Sequence, residues 1–140
     1  MIYVDTPVVV AVLTTEESTE RVLAWLARAN DQDLAISPWV ATEVSSALST
    51  KLRTGQISPA IRAAAMAGFA RMKRDNFTIL DIEATDFPAA GSLADRAELA
   101  LRAGDALHLA IVQRHVAGLA TLDRQLAVAA TMIGVTVVEI

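Results

Sequence analysis

The 140-residue sequence predicts an α/β fold, with a mostly parallel five-stranded sheet flanked by helices. Short runs rich in β-branched residues alternate with longer segments of helical periodicity, and this alternation is typical of a parallel sheet covered by helices. The chain is 54% hydrophobic but only 4% aromatic, a composition that excludes disorder and favours closely packed helices. Its length and its lack of repeats or low-complexity segments indicate a single domain, residues 1–140.

The predicted elements follow the order βαβααβααβαβ. Short apolar runs predict strands at residues 2–4, 34–36, 77–80, 118–121 and 135–138. Helical periodicity predicts helices at residues 17–28, 38–54, 59–74, 86–98, 105–115 and 123–133. Ser37 and Ser58 each precede a proline, a typical helix start, and Gly134 is placed to end the last helix. In a Rossmann-like sheet of this order, ligands bind beyond the carboxyl ends of the strands.

The charge is unevenly distributed along the chain. The formal net charge of −4 argues against a nucleic-acid partner, because such binding is driven by counterion release onto lysine and arginine. Residues 51–74, however, contain no acidic residue and have a local charge of +6, from Lys51, Arg53, Arg62, Arg71, Lys73 and Arg74. The other 116 residues carry −10. This basic segment is either a solvated helix face or a set of phosphate contacts, for which Lys51, Arg53 and Arg62 are the first candidates.

Several classes of protein are excluded or disfavoured. The absence of cysteine removes disulfides, thiolate metal sites and cysteine nucleophiles, and fits a reducing cytoplasm. The longest apolar runs, 8–13 and 109–112, are far shorter than the roughly 18 residues of a membrane span. Asp5 stands ahead of the first run, which argues against a secretory signal peptide. We therefore expect a cytoplasmic protein whose apolar excess provides a surface for self-association or for a partner.

Four acidic residues occupy unusual positions. Asp5 and Asp123 follow predicted strands, and Asp105 begins a very apolar helix; each of the three is also a plausible helix N-cap. Glu43 lies within the apolar stripe of its helix, where an unpaired buried charge would cost several kcal/mol. His108 follows Asp105 at i+3 on the same helix face, as either a buried structural partner or a site residue.

These carboxylates can meet above one edge of the sheet, because two come from strand ends and two from adjacent helix faces. Four carboxylates cannot all ionise in one pocket without a counter-cation. Oxygen ligands without cysteine suit a hard ion such as Mg²⁺ or Mn²⁺. A metal held in this way suits phosphoryl chemistry, since it can activate water and stabilise the attacking and leaving oxygens.

The acidic residues lie in four short motifs spread over the whole chain. They are MIYVDT (1–6), WVATEV (39–44) followed by SAL (46–48), LRAGDALHLA (101–110) and TLDRQL (121–126). In this order they resemble the PIN-domain ribonucleases, and among them the VapC-type toxins of bacterial toxin–antitoxin pairs. The resemblance implies a three-layer Rossmann-like domain.

The resemblance also implies an activity, a Mg²⁺- or Mn²⁺-dependent endoribonuclease that leaves 5′-phosphate and 3′-hydroxyl ends after attack by metal-activated water. The metal site would consist of Asp5, Glu43, Asp105 and Asp123. Thr6 and Thr121, beside the acids, would support ligands or water. The implied partners are an RNA substrate, a second copy in a homodimer, and a cognate antitoxin whose C-terminal segment lies in the active-site groove.

One residue departs from the family pattern and keeps an alternative open. After Asp5-Thr6 the family usually has a small polar residue, whereas this chain has Pro7, which supplies neither a hydroxyl nor a backbone N–H. The alternative is a catalytically weak PIN-fold protein that mainly binds RNA or a partner. A DNA-directed nuclease of the same fold is less expected, because it usually carries added elements that grip duplex DNA, for which 140 residues leave no room.

Two other acidic Mg²⁺-dependent classes fit poorly. A phosphoacceptor receiver domain needs paired acids after the first strand and a lysine after a late strand, whereas the lysines are Lys51 and Lys73. A haloacid-dehalogenase-type phosphatase needs an aspartate where Pro7 stands.

Overall fold

The computed structural model describes residues 1–29 and 32–140, and within them the chain forms one sheet, seven α-helices and a short 3-10 helix. The strands are β1 (Ile2–Val4), β2 (Leu34–Ile36), β3 (Thr78–Ile79), β4 (Gly118–Ala120) and β5 (Val137–Val138). The helices are α1 (Thr6–Leu13), α2 (Thr19–Arg28), α3 (Pro38–Arg53), α4 (Pro59–Asp75), α5 (Asp86–Ala94), α6 (Ala103–Arg114) and α7 (Arg124–Met132), with the 3-10 helix at Ala97–Leu99. No helix in these ranges is long and apolar enough to cross a bilayer.

The sheet has the order β3-β2-β1-β4-β5, and every pairing in it is parallel. The predicted α/β class and five-stranded sheet are therefore confirmed. Ile2 of the central strand β1 is in register with Leu34 of β2 and Gly118 of β4. The chain builds outward from β1 to β3 and then returns to the other side of β1 with β4. The order therefore reverses between β1 and β4, and at such a switch point the carboxyl ends of the strands open a crevice for ligands.

Helix α1 was not predicted. Its segment is rich in valine, which has a low helix propensity. The helix forms because tertiary burial outweighs propensity, as Thr6 and residues 8–11 are all buried. Asp5 caps it, since its carboxylate accepts the Thr6 N–H at 2.7 Å. Pro7 costs this helix no hydrogen bond, because first-turn N–H groups have no intrahelical acceptor.

The other differences are at element ends. Helix α6 begins at Ala103 rather than residue 105, because the Asp105 carboxylate accepts the Arg102 N–H at 3.2 Å and sits inside the first turn. The predicted helix 86–98 is divided into α5 and the 3-10 helix. Ser58 caps α4 as predicted, by accepting the Ile61 N–H. Ser37 occupies the N-cap position of α3 as predicted, but its side chain makes no cap hydrogen bond.

The core lies on both faces of β1 and along α6. Tyr3 of β1 and Leu119 of β4 are fully buried, and residues 106–112 of α6 form an unbroken buried run. Full burial of a Leu, Ile or Val side chain is worth about 1.5–3 kcal/mol, so α6 contributes strongly to stability. The C-terminal end of α6 is joined to α5 by Arg114, whose Nε and Nη2 donate to the two oxygens of the buried Asp86 carboxylate at 2.8 and 2.9 Å.

Candidate metal centre

Three side chains from different elements meet beyond the carboxyl end of β1. Asp5 follows β1 directly, Glu43 lies on the second turn of α3, and His108 lies on the second turn of α6. One potential ligand atom from each lies within 4.8 Å of the other two. Among the described residues, this is the group of three or more His, Asp or Glu side chains spaced closely enough to hold a metal ion.

His108 lies at the centre of this cluster and is almost completely buried. Its Nε2 is 2.7 Å from Glu43 Oε2 and 3.5 Å from Asp5 Oδ1. Its Nδ1 is 2.8 Å from the Tyr3 hydroxyl. The histidine is therefore central to the site, and the interpretation of it as a buried partner of acids is correct, although its partners are Asp5 and Glu43.

Asp5 is buried, with 3% of its surface exposed. Its Oδ1 accepts the Thr6 N–H, and its Oδ2 accepts the Thr121 hydroxyl at 2.6 Å. Burial raises the pKa of Asp5, and the nearby Glu43 charge raises it further, while His108 and the two threonines offset only part of the increase. The environment is therefore short of positive charge, which a bound cation would supply.

Glu43 is half-buried and remains ionised. Its Oε2 accepts hydrogen bonds from Thr6 Oγ1 at 2.5 Å and from His108 Nε2. Burial on its own raises the pKa of Glu43, but the hydrogen bond and charge of His108, together with the Thr6 hydroxyl, outweigh burial and lower it overall. A half-buried, ionised carboxylate thus lies next to the buried Asp5.

Gly104 allows α6 to approach α3 closely. A Cβ atom at this position would lie 3.0 Å from Glu43 Oε1 and 3.4 Å from Trp39 Nε1. Only glycine accommodates both neighbours without displacing them. The small residue before Asp105 therefore has a role in placing Glu43.

Asp105 and Asp123 lie beside the three-residue cluster but do not belong to it. The half-buried Asp105 carboxylate is occupied at the start of α6, and Asp123 is exposed and caps α7 by accepting the N–H groups of Gln125 and Leu126. A two-step link joins Asp123 to Asp5, because the Asp123 N–H donates to Thr121 Oγ1 and that hydroxyl donates to Asp5. Their role as metal ligands stays a prediction.

A groove of about 850 Å³ opens next to the site. Its lining includes two exposed arginines, Arg21 and Arg124. It also includes Pro7, Thr121 and four acidic residues, Glu16, Glu17, Asp123 and Glu139. Neither guanidinium forms a salt bridge with any carboxylate in the described part of the chain. Sequence reasoning overlooked both arginines, because it measured charge density along the chain and they are far apart in sequence.

Two of the predicted basic residues lie further along α3 than Glu43. Lys51 and Arg53 follow Glu43 by eight and ten residues on α3, which places them about 12 and 15 Å further along the helix axis. Lys51 Nζ is paired with Glu16 at 2.8 Å. Arg53 is exposed and Arg62 is half-buried. Of these, Lys51 has part of its charge neutralised within the protein.

Two buried hydroxyl groups behind the cluster were also overlooked. The Tyr3 hydroxyl lies 2.7 Å from Ser37 Oγ. Ser37 therefore hydrogen-bonds Tyr3 instead of an N–H group at the start of α3. The signal was available, because Tyr3 is the only tyrosine and lies in a predicted strand of a sheet covered by helices, where a buried hydroxyl requires a partner.

Comparison with known proteins gives one family. The sequence matches the family model of the PIN domain over residues 2–131. No curated protein matches it.

Several solved structures share the fold at low sequence identity. FitAcB from Neisseria gonorrhoeae has a TM-score of 0.68 and 21% identity, covering 99% of this chain and 97% of that one. VapBC2 from Rickettsia felis, in a structure bound to a DNA fragment from their promoter, has a TM-score of 0.66 and 21% sequence identity, covering 99% of this chain and 98% of that one. A toxin-antitoxin complex from Klebsiella pneumoniae has a TM-score of 0.59 and 21% sequence identity, covering 88% of this chain and 87% of that one.

Proposed function

The chain belongs to the PIN-domain family, and we propose on this basis that it is a divalent-metal-dependent endoribonuclease, the toxin of a type II toxin–antitoxin pair. The observation that carries the proposal is the buried Asp5 carboxylate facing the ionised Glu43, next to a groove that Pro7 and Thr121 line. Both are oxygen donors with an excess of negative charge, the set that Mg²⁺ or Mn²⁺ prefers. The fit of donors to ion thus supports a metal centre.

In this proposal Asp5 and Glu43 hold the ion, and Asp105 and Asp123 complete the acidic set from the adjoining helix starts. The bound ion would activate water and stabilise negative charge on the scissile phosphodiester. Thr6 takes part twice, since its N–H fixes Asp5 and its hydroxyl fixes Glu43.

Thr121 orients the second oxygen of Asp5 and the backbone of Asp123. The two threonines are thus supporting residues that hold the Asp5 and Glu43 carboxylates in place.

The phosphates flanking the scissile bond require positive charge. We propose that Arg21 and Arg124 bind them within the groove, where they are the basic lining residues beside four acidic ones, Glu16, Glu17, Asp123 and Glu139. Lys51, Arg53 and Arg62 would contact phosphates further along the RNA, where their distance from the site is an advantage. Single-stranded RNA fits an open groove of this kind, because unstacked bases are accessible there.

The proposed partners are a cognate antitoxin and a second copy of the chain. One structure of similar fold is a toxin-antitoxin complex, and several large apolar side chains are exposed here, including Leu23, Ile61 and Phe87. Exposed apolar residues favour association with another protein. The cytoplasmic location stays a prediction.

The alternative of a catalytically weak binding protein depends on Pro7. In the structure Pro7 occupies the first turn of α1, where its missing N–H has no intrahelical partner, and Asp5 keeps its bond from Thr6. The presence of Pro7 in place of the family's small polar residue therefore leaves the contacts of Asp5 and Glu43 intact. This favours the enzyme over the binding module.

The proposal is tested by incubating purified protein with structured and unstructured RNAs, with Mg²⁺, with Mn²⁺ or with chelator. We expect cleavage with either ion and none with chelator. Asp5→Asn and Asp105→Asn should abolish it, whereas Asp75→Asn, an exposed carboxylate at the end of α4, should leave it unchanged. Cleavage that survives chelator or the Asp5 substitution would overturn the assignment.

A further inference from the structure

We propose that Tyr3, Ser37 and His108 form a buried positioning chain that fixes the Glu43 carboxylate for metal binding. This inference rests on the proposed function, because it assigns a role within that metal centre. Ser37 Oγ is 2.7 Å from the Tyr3 hydroxyl, that hydroxyl is 2.8 Å from His108 Nδ1, and His108 Nε2 is 2.7 Å from Glu43 Oε2. Three consecutive hydrogen bonds thus lead from the start of α3 to its second turn through β1 and α6.

The chain is isolated from solvent. Ser37 and His108 are each 1% exposed and Tyr3 is 0% exposed, so their polar atoms depend on one another for hydrogen bonds. A buried hydroxyl or imidazole nitrogen without a partner is costly, which restricts each group to the orientation observed. The chain therefore ends on Glu43 in a defined geometry.

The direction of the last bond is fixed by chemistry. An ionised carboxylate only accepts hydrogen bonds, so His108 Nε2 carries the proton that it shares with Glu43. Nδ1 faces the Tyr3 hydroxyl, which can donate or accept, and Ser37 Oγ can take the complementary role on the other side. Tyr3 and Ser37 thus satisfy the ring in either of its protonated forms and keep Nε2 directed at Glu43.

The same contact sets the spacing of the two acids. His108 Nε2 lies 2.7 Å from Glu43 and 3.5 Å from Asp5, so the ring edge stands between the carboxylates. Its plane is also held by the Tyr3 ring, which meets it edge-on with centroids 5.6 Å apart. A ring free to turn about χ2 would change the position of both oxygens.

Tyr3→Phe removes the hydroxyl and keeps the buried ring, so it tests this role with little change in packing. We expect the dissociation constant for Mn²⁺, measured by calorimetry, to rise about tenfold, the low end of the range for groups that orient metal ligands. The matched control is Thr14→Val, which removes a buried hydroxyl that bonds the Val10 carbonyl away from the cluster. It should lower stability without changing Mn²⁺ affinity.

The imidazole provides a second measurement. His108 and His115 are the only histidines, so the ring ¹⁵N signals of His108 can be assigned with a His115→Gln variant. In Tyr3→Phe we expect the Nδ1 signal to shift and the His115 signals to stay in place. Ser37→Ala should weaken Mn²⁺ binding by a smaller factor, since the Tyr3 hydroxyl keeps its contact with His108.

A double-mutant cycle separates positioning from general stability. His108→Gln can still donate to Glu43 but has no ring nitrogen for Tyr3, so Tyr3→Phe should have no further effect on Mn²⁺ affinity in that background. Additive effects, or wild-type affinity in Tyr3→Phe, would overturn the inference while leaving the metal centre in place. A wild-type protein that binds no Mn²⁺ would overturn the proposed function, and this inference with it.

Discussion

Gly104→Ala is a one-carbon probe of how α6 places the metal centre. The added Cβ would lie 3.0 Å from Glu43 Oε1 and 3.4 Å from Trp39 Nε1, so the carboxylate must move by a few tenths of an ångström. Gly104 is the second residue of α6, where alanine has the higher helix propensity by about 1 kcal/mol. The two effects oppose each other in stability, but only the displacement acts on the site.

The expected result is a loss of metal affinity without a loss of fold. Catalytic and binding groups need to be held within about 0.5 Å of the productive geometry. We expect Mn²⁺ to bind about tenfold more weakly, equivalent to about 1.4 kcal/mol. The free energy of unfolding should change by less than about 1 kcal/mol. Calorimetry measures the first quantity and urea denaturation the second.

Gly91→Ala is the matched control, because Gly91 lies within α5 and an added Cβ there meets nothing within 4 Å. It should raise the free energy of unfolding by about 0.5–1 kcal/mol and leave Mn²⁺ affinity unchanged. Wild-type Mn²⁺ affinity in Gly104→Ala, or equal losses in both variants, would refute the reasoning that Gly104 places Glu43.

Three further predictions concern stability and RNA binding. The hydrogen bonds from Arg114 lower the pKa of Asp86. Asp86→Asn should therefore lower the unfolding free energy by about 1–3 kcal/mol at neutral pH. In urea titrations this difference from the wild type should persist down to about pH 4 and shrink below it. Val116 follows α6 in a left-handed conformation, with φ +52° and 92% exposure. Because glycine adopts this conformation without strain, Val116→Gly should raise the unfolding free energy by about 1 kcal/mol. An unchanged or lower unfolding free energy would show that Val116 is not strained. Replacing Arg21 and Arg124 by Gln should reduce the salt slope of metal-free RNA binding by about 1.4, which is about 0.7 for each charge. Lys51→Gln should reduce the slope by less than about 0.7, because Lys51 is paired with a glutamate. Equal reductions per charge would contradict the groove assignment.

The sequence predicted the sheet because its five strands are short apolar runs whose pattern depends on local composition. It predicted the family as well, from the order of the motifs around Asp5, Glu43, Asp105 and Asp123, and the PIN-domain match over residues 2–131 confirms the family. Helix α1 was missed, because the burial that outweighs valine's low helix propensity is a tertiary effect.

The inner part of the site was less predictable. The contacts between Tyr3, Ser37 and His108 join residues 34 and 105 positions apart, and no local spacing reveals such pairs. The i+3 spacing of His108 from Asp105 pointed to a partnership within one helix, whereas the ring hydrogen-bonds Glu43 and Tyr3 and lies 3.5 Å from Asp5. Long-range hydrogen bonds of this kind become visible only when the fold brings the elements together.

The proposed function assigns the cluster around Asp5 and Glu43 as the metal centre of a ribonuclease. Its most direct test measures Mn²⁺ binding and the rate of RNA cleavage over the same series of Mn²⁺ concentrations, in the wild type and in Asp5→Asn. We expect cleavage to rise with occupancy of the site by Mn²⁺, and Asp5→Asn to lose Mn²⁺ binding and cleavage together. Wild-type Mn²⁺ affinity in Asp5→Asn, or cleavage that does not follow occupancy, would contradict it.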